Sequence, residues 1–155
     1  MDPKDAKIRA ARLCSQQERC TFYIRTKLEQ WKVPEKHMAS IVHYLREEKY
    51  LDDSRYAQFF VKDKFRFNQW GKIKIRHALR QNQIPDNIIN EALEQIPEEE
   101  YFQTCLSLLQ NKNKTIKDTN HLTRKGKLLR FAAQRGFESD LVYKAIHQIS
   151  INNKK

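Results

Sequence analysis

Glycine is almost missing from this sequence: three in 155 residues, beside four prolines. Chains of tight hairpins need positive-φ residues at most of their turns, so a β-rich fold is a poor fit. No apolar/polar alternation is found to argue otherwise. A glycine-rich phosphate loop is also missing, and so are GxSxG and HExxH patterns, which leaves catalytic, metal and cofactor roles without a residue set. The five histidines, His37, His43, His77, His121 and His147, stand at no ligand spacing. Cysteine is scarce too. Cys14, Cys20 and Cys105 form no CxxC pair, and their odd number argues against a disulfide framework and for a reducing cytoplasm. Long apolar runs are lacking, and the first residues are broken by Pro3, Lys4, Lys7 and Arg9, so neither a membrane span nor an export signal is expected.

Acidic residues are outnumbered: 19 Asp and Glu against 30 Lys and Arg, giving a net charge of +11 and a pI near 9.7. That excess favours an acidic partner, either phosphate backbone or protein surface. Hydrophobic residues are 39%, charged residues 32%, and mean hydropathy is -0.84. Such a chain supports thin amphipathic helices better than one thick core, which predicts an elongated, curved helical array.

An internal repeat organises what is present. Segments 24–45, 75–96 and 128–149 align at offsets of 51 and 53 residues. Apolar residues recur at Ile24, Ile75 and Leu128; at Leu28, Leu79 and Ala132; and at Val33, Ile84 and Phe137. Further sets are Met38, Ile89 and Val142; Ile41, Ala92 and Ala145; and Leu45, Ile96 and Ile149. Intervals of three, four and seven describe two helices joined by a tight turn with their inner faces packed. Pro34 and Pro85 open the second helix of their pairs, where a missing N–H costs nothing, and Glu138 replaces them in the third copy. A further helix precedes each pair, at 4–17, 53–67 and 98–109, with a polar linker at 111–118. The expectation is an all-α fold of about nine helices in three tandem three-helix repeats, 1–49, 50–97 and 98–155, the last with a basic C-terminal tail.

Asp52 and Asp53 stand just before a helical pattern, where carboxylates accept first-turn N–H groups; capping explains them better than metal binding or acid–base work. Glu98, Glu99 and Glu100 fit a helix start in the same way. The cations are more informative. Lys62, Lys64, Arg66, Lys72, Lys74, Arg76 and Arg80 face Asp63 alone, and Lys112, Lys114, Lys117, Arg124, Lys125, Lys127, Arg130 and Arg135 face Asp118 alone. Helix surfaces are ordinarily charged, but the lack of compensating acids favours a partner. Lys72, Arg76 and Arg80 recur every four residues and form one row on a helix. Phe65, Phe67 and Trp70 lie beside these cations, at a spacing that fits core packing better than base stacking.

The stretch from Tyr50 through Leu51, Asp52, Asp53, Ser54, Arg55 and Tyr56 to Ala57 resembles the turn into the middle repeat of the bacterial RecX regulators of the recombinase RecA. Gly71, Ile75, Leu79, Ile84 and Leu93 fall where that repeat carries glycine and aliphatics. Lys127 to Phe131, followed by Arg135, Gly136 and Phe137, is similar to the family's closing signature. Lys49, Gln83 and the pair Trp31 and Lys32 stand where the family usually has glycine. The resemblance implies a non-enzymatic, monomeric cytoplasmic protein lying in the groove of the RecA filament on single-stranded DNA. There it would limit filament growth, ATPase, strand exchange and coprotease activity. The cations expected to touch RecA or DNA phosphate are Lys62, Lys64, Arg66, Lys72, Lys74, Arg76, Arg80, Arg124, Lys125, Lys127 and Arg130. Direct, non-specific binding of single- or double-stranded DNA is the rival expectation.

Overall fold

The computed structural model describes the backbone of residues 1–153 and the side chains of residues 1–150; the expected basic tail at Lys154 and Lys155 lies outside the described residues. Among these residues there are nine helices and no strand: α1 Pro3–Gln16, α2 Thr21–Gln30, α3 Glu35–Glu47, α4 Asp53–Arg66, α5 Lys72–Gln81, α6 Asp86–Leu93, α7 Glu98–Thr115, α8 His121–Arg135 and α9 Ser139–Asn153. All eighteen recurrent apolar residues are buried, none more than 6% exposed. The repeat in the sequence is thus a repeat of core positions, and truncating one of its larger members, such as Leu28, costs about 2–5 kcal/mol.

The repeat extends to the turns. After α2, the amide of Lys32 bonds the carbonyl of Glu29 and that of Val33 bonds Leu28. Gln83 and Ile84 bond Arg80 and Leu79 in the same way after α5, and Gly136 and Phe137 bond Ala133 and Ala132 after α8. This paired closure needs one left-handed residue. Gly136 takes it at φ 93, but Lys32 and Gln83 take it at φ 58, and Lys49, after α3, at φ 63. The residues that stand in for glycine therefore adopt the glycine conformation, at about 1–2 kcal/mol each.

Two compact units result, dividing the middle repeat between them: residues 1–60 with 79–92, and residues 61–78 with 93–155. The first is built on Ala6 and Ala10 of α1, Ile24 and Leu28 of α2, and Met38, Ile41 and Leu45 of α3. Its acid pair caps two helices. Asp52 Oδ1 accepts the Arg55 amide at 3.1 Å, opening α4, and Asp53 Oδ1 accepts the Thr21 amide at 2.9 Å, opening α2, whose own N-cap residue Cys20 supplies no side-chain bond.

In the second unit α7 packs against α8 and α9. Tyr101 lies at its centre, its ring 5.9 Å from Phe65 and 5.3 Å from Phe137. The start of α5 crosses the end of α8 so closely that a Cβ on Gly71 would lie 2.3 Å from the backbone of Gly136. First-turn donors are satisfied there: Gly71 N–H by the Arg135 carbonyl at 2.7 Å, Ile73 N–H by the Gly136 carbonyl at 3.0 Å, and Lys72 N–H by the Tyr101 hydroxyl at 2.9 Å. The Tyr101 hydroxyl in turn donates to Glu138, which explains the acid where the other repeats have proline.

One expectation is corrected. The linker placed at 111–118 is helical as far as Thr115, leaving 116–120 as the connection. Cys105 and Leu109 are buried, Asn113 follows at the next i+4 position, and no glycine or proline intervenes. The row ends at the buried Ile116.

Candidate basic interface

All the proposed contact cations except Arg80 belong to the second unit. The structure gives them different employments. Arg124 is half-buried and holds the connection between α7 and α8. Its guanidinium donates to the carbonyls of Ile116 and Asp118 at 2.8 Å, and to the Asn113 carbonyl and side-chain oxygen at 3.0 and 2.6 Å. Four such bonds make Arg124 a structural clamp. Arg80 forks onto Asp86 at 2.9 and 3.3 Å. Lys72 lies over the Tyr101 ring at 4.7 Å and lines a groove of about 610 Å³ with Glu98, Glu99, Glu138 and Asp140. Lys72, Arg76 and Arg80 therefore do not share one surroundings, although they share a helix.

Of the remaining cations, Lys64, Lys74, Arg76 and Lys125 are half-buried. Lys62, Arg66, Lys127 and Arg130 are exposed. Arg66 reaches Glu100 at 3.8 Å, an exposed pair of small energetic consequence. Lys127 pairs with Asp118, whose carboxyl it holds below the ordinary aspartate range. Lys125 stands over Tyr143 at 5.2 Å. Lys64 and Lys74 place their ammoniums 5.1 and 4.5 Å from the centre of the Trp70 ring. Between α7 and α8 an open groove of about 600 Å³ gathers Lys112, Lys117, Lys127 and Arg130 around Phe131, with Asp118 as its single acid. Lys112 and Lys117 are the additions to the expected set; helix α7 had to be extended before they could be placed beside α8.

Phe67 reverses an expectation. Phe65 is core at 3% exposure, but Phe67 is 83% exposed. The signal was available: residues two apart on a helix point about 200° from one another, so both cannot face one core. The thiols carry no sign of activation. Burial pushes Cys14 up to about 11 and Cys105 up to about 12, and raises Cys20 as well.

Models of the second and third three-helix domains of RecX match residues 52–93 and 98–146. Regulatory protein RecX of Chlorobium phaeobacteroides is 33% identical over 96% of this chain and 95% of its own length. The chain belongs to the RecX family. Other RecX proteins are longer: those of Clostridium acetobutylicum, 31% identical, and Oceanobacillus iheyensis, 30% identical, are covered over 62% and 45% of their lengths, by 84% and 79% of this chain. A crystal structure of regulatory protein RecX superposes with a TM-score of 0.85 at 27% identity, covering 94% of this chain and 71% of that one. The RecX structure from Lactobacillus salivarius gives 0.89 over 97% of both chains; at 19% identity it speaks to the fold alone. No helix among the described residues is long and apolar enough to cross a membrane.

Proposed function

We propose that this chain is a non-enzymatic, cytoplasmic regulator that binds the RecA filament on single-stranded DNA as a monomer. It lies in the filament groove, restrains filament growth, and lowers ATPase, strand exchange and coprotease activity. The observation that carries the reading is the family match along nearly the whole of the Chlorobium phaeobacteroides protein. The outward cations of the second unit supply a physical basis, because a concentrated positive field attracts an anionic assembly and speeds encounter.

The test is the DNA-dependent ATPase of preformed RecA filaments. Substoichiometric protein should slow it, and an unchanged rate at saturating protein would end this reading. Direct nucleic-acid binding is the second reading, favoured by exposed Lys62 and Arg130 and by Arg66, whose ion pair with Glu100 is long at 3.8 Å and exposed. It predicts equal affinity for naked and RecA-coated strand.

A further inference from the structure

The turn from α4 to α5 presents an aromatic ring to solvent on a fixed support. Phe67 is 83% exposed and Ile73 is 54% exposed, while Phe65, two residues before Phe67, is sunk in the core at 3%. The turn is held at several points. The Phe67 amide still bonds Asp63 at 2.9 Å, the Trp70 amide bonds Lys64 at 3.1 Å, and Gln69 takes a left-handed φ of 57. From α8, Arg135 donates to the Asn68 carbonyl at 3.0 Å and accepts the Gly71 amide at 2.7 Å. Exposure of Phe67 is thus built into a rigid turn, and little ordering remains to oppose binding.

Cations flank this ring along the chain, with Lys64 three residues before it, one helical turn away. Trp70 gathers the Lys64 and Lys74 ammoniums within 5.1 Å of its centre, and Lys62 and Arg66 are exposed on α4. Asp63 is the one acid among residues 54–85. An anion alone would be served by the cations and would leave Phe67 without a role. A nucleotide of a single strand has both parts, a phosphate for the ammoniums and an unstacked base for the ring. In a duplex the bases are already stacked on one another and offer only edges in the grooves.

We propose that the α4–α5 turn is a single-stranded nucleic-acid site, in which Phe67 stacks on one base and the Lys64 and Lys74 ammoniums gathered at Trp70 hold neighbouring phosphates. This deepens the second reading above, direct nucleic-acid binding, by naming its residues and a preference for unstacked bases, and it does not rest on the RecA reading.

The experiment is fluorescence anisotropy of the full chain with labelled oligothymidylate of about 20 nucleotides, long enough to cover known single-strand sites of roughly 4–16 nucleotides, against an abasic strand of equal length. Stacking on one base is worth roughly tenfold in affinity. The chain should prefer oligothymidylate to the abasic strand by about that factor. Phe67→Ala should abolish the preference while leaving abasic binding and helicity unchanged, and Phe67→Trp should restore it. A chain that binds both strands equally, or a Phe67→Ala variant that keeps the preference, overturns the proposal. If Phe67→Ala spares naked-strand binding but weakens capture of RecA-coated strand, the face is a protein contact: this site is then refuted and the proposed function stands. If base preference is lost while slowing of the filament ATPase persists, the site is supported independently of that function.

Discussion

The two compact units have nearly the same size but not the same surface. Residues 1–60 and 79–92 carry 13 Lys and Arg against 11 Asp and Glu, a net +2; residues 61–78 and 93–155 carry 17 against 8, a net +9. In the first unit three arginines meet acids, Arg25 with Glu35 at 2.6 Å, Arg55 with Glu18 at 2.8 Å and Arg80 with Asp86 at 2.9 Å, while Arg9 and Arg19 lie over Trp31 and Tyr23. In the second, Lys62, Arg130 and the lysines at Trp70 are aimed at solvent or at aromatic faces. A whole-chain charge of +11 therefore describes neither unit. The difference teaches that an acidic partner is to be sought at the second unit, and that the first is the natural control.

The turns that close α2, α3 and α5 in the first unit differ from the one that closes α8 in the second, and substitution there should have opposite signs. Gly136→Ala combines a φ of 93 with a Cβ placed 2.4 Å from the Lys74 Cβ. It should destabilise the second unit by about 3 kcal/mol or more, read as a lower urea midpoint with the larger shift in amides of residues 93–150 by hydrogen exchange. Arg124→Ala comes next. Loss of four bonds to the α7–α8 connection should cost about 2 kcal/mol, whereas Arg130→Ala, at an exposed position, should stay within about 0.5 kcal/mol. Equal effects would deny Arg124 its structural role.

In the first unit, Lys32→Gly, Lys49→Gly and Gln83→Gly should each stabilise. Relief of left-handed strain, about 1–2 kcal/mol, exceeds the extra chain entropy of glycine, about 0.4–1 kcal/mol, leaving a gain of roughly 0.5–1 kcal/mol each. A rise in melting temperature checks it. Smallest is the effect of acid at Asp118. Its carboxyl is held below the ordinary range by Lys127, so the pair's contribution is intact above the unfolded aspartate pKa and fades only as pH falls through the lowered value. Between about pH 5 and 8, Asp118→Asn and the parent should keep a constant stability difference.

The core was legible because a helix shows its buried face as intervals of three, four and seven, and all eighteen recurrent residues are buried. Helix starts were legible at Asp52, whose carboxylate accepts the Arg55 amide, and at Glu98, an acid in the first turn of α7. The rest depended on distance in space. That Asp53 caps α2, 32 residues back, has no local signature. Arg124 looked like any member of a cationic run until its partners 6 to 11 residues away were in view. Likewise Lys72 was placed among acids from α7 and α9 by the crossing of Gly71 over Gly136, which spacing along one helix does not encode. Phe67 was misjudged by weighing aromatics as a group rather than by their angle around α4.

The contrast between units is tested most directly by charge reversal in matched pairs of variants. Lys62, Arg66 and Arg130 are changed to Glu in one protein, and exposed Lys4, Arg12 and Lys36 of the first unit in the other, so each loses the same charge. Affinity for the RecA filament on single-stranded DNA is then measured across a salt series, since attraction between exposed charges is screened beyond about 8–10 Å at physiological strength. The second-unit variant should bind at least about tenfold more weakly and lose most of the salt dependence, with helicity and melting temperature preserved, while the first-unit variant stays close to the parent. Equal losses in both, or a loss confined to the first-unit variant, would contradict the account.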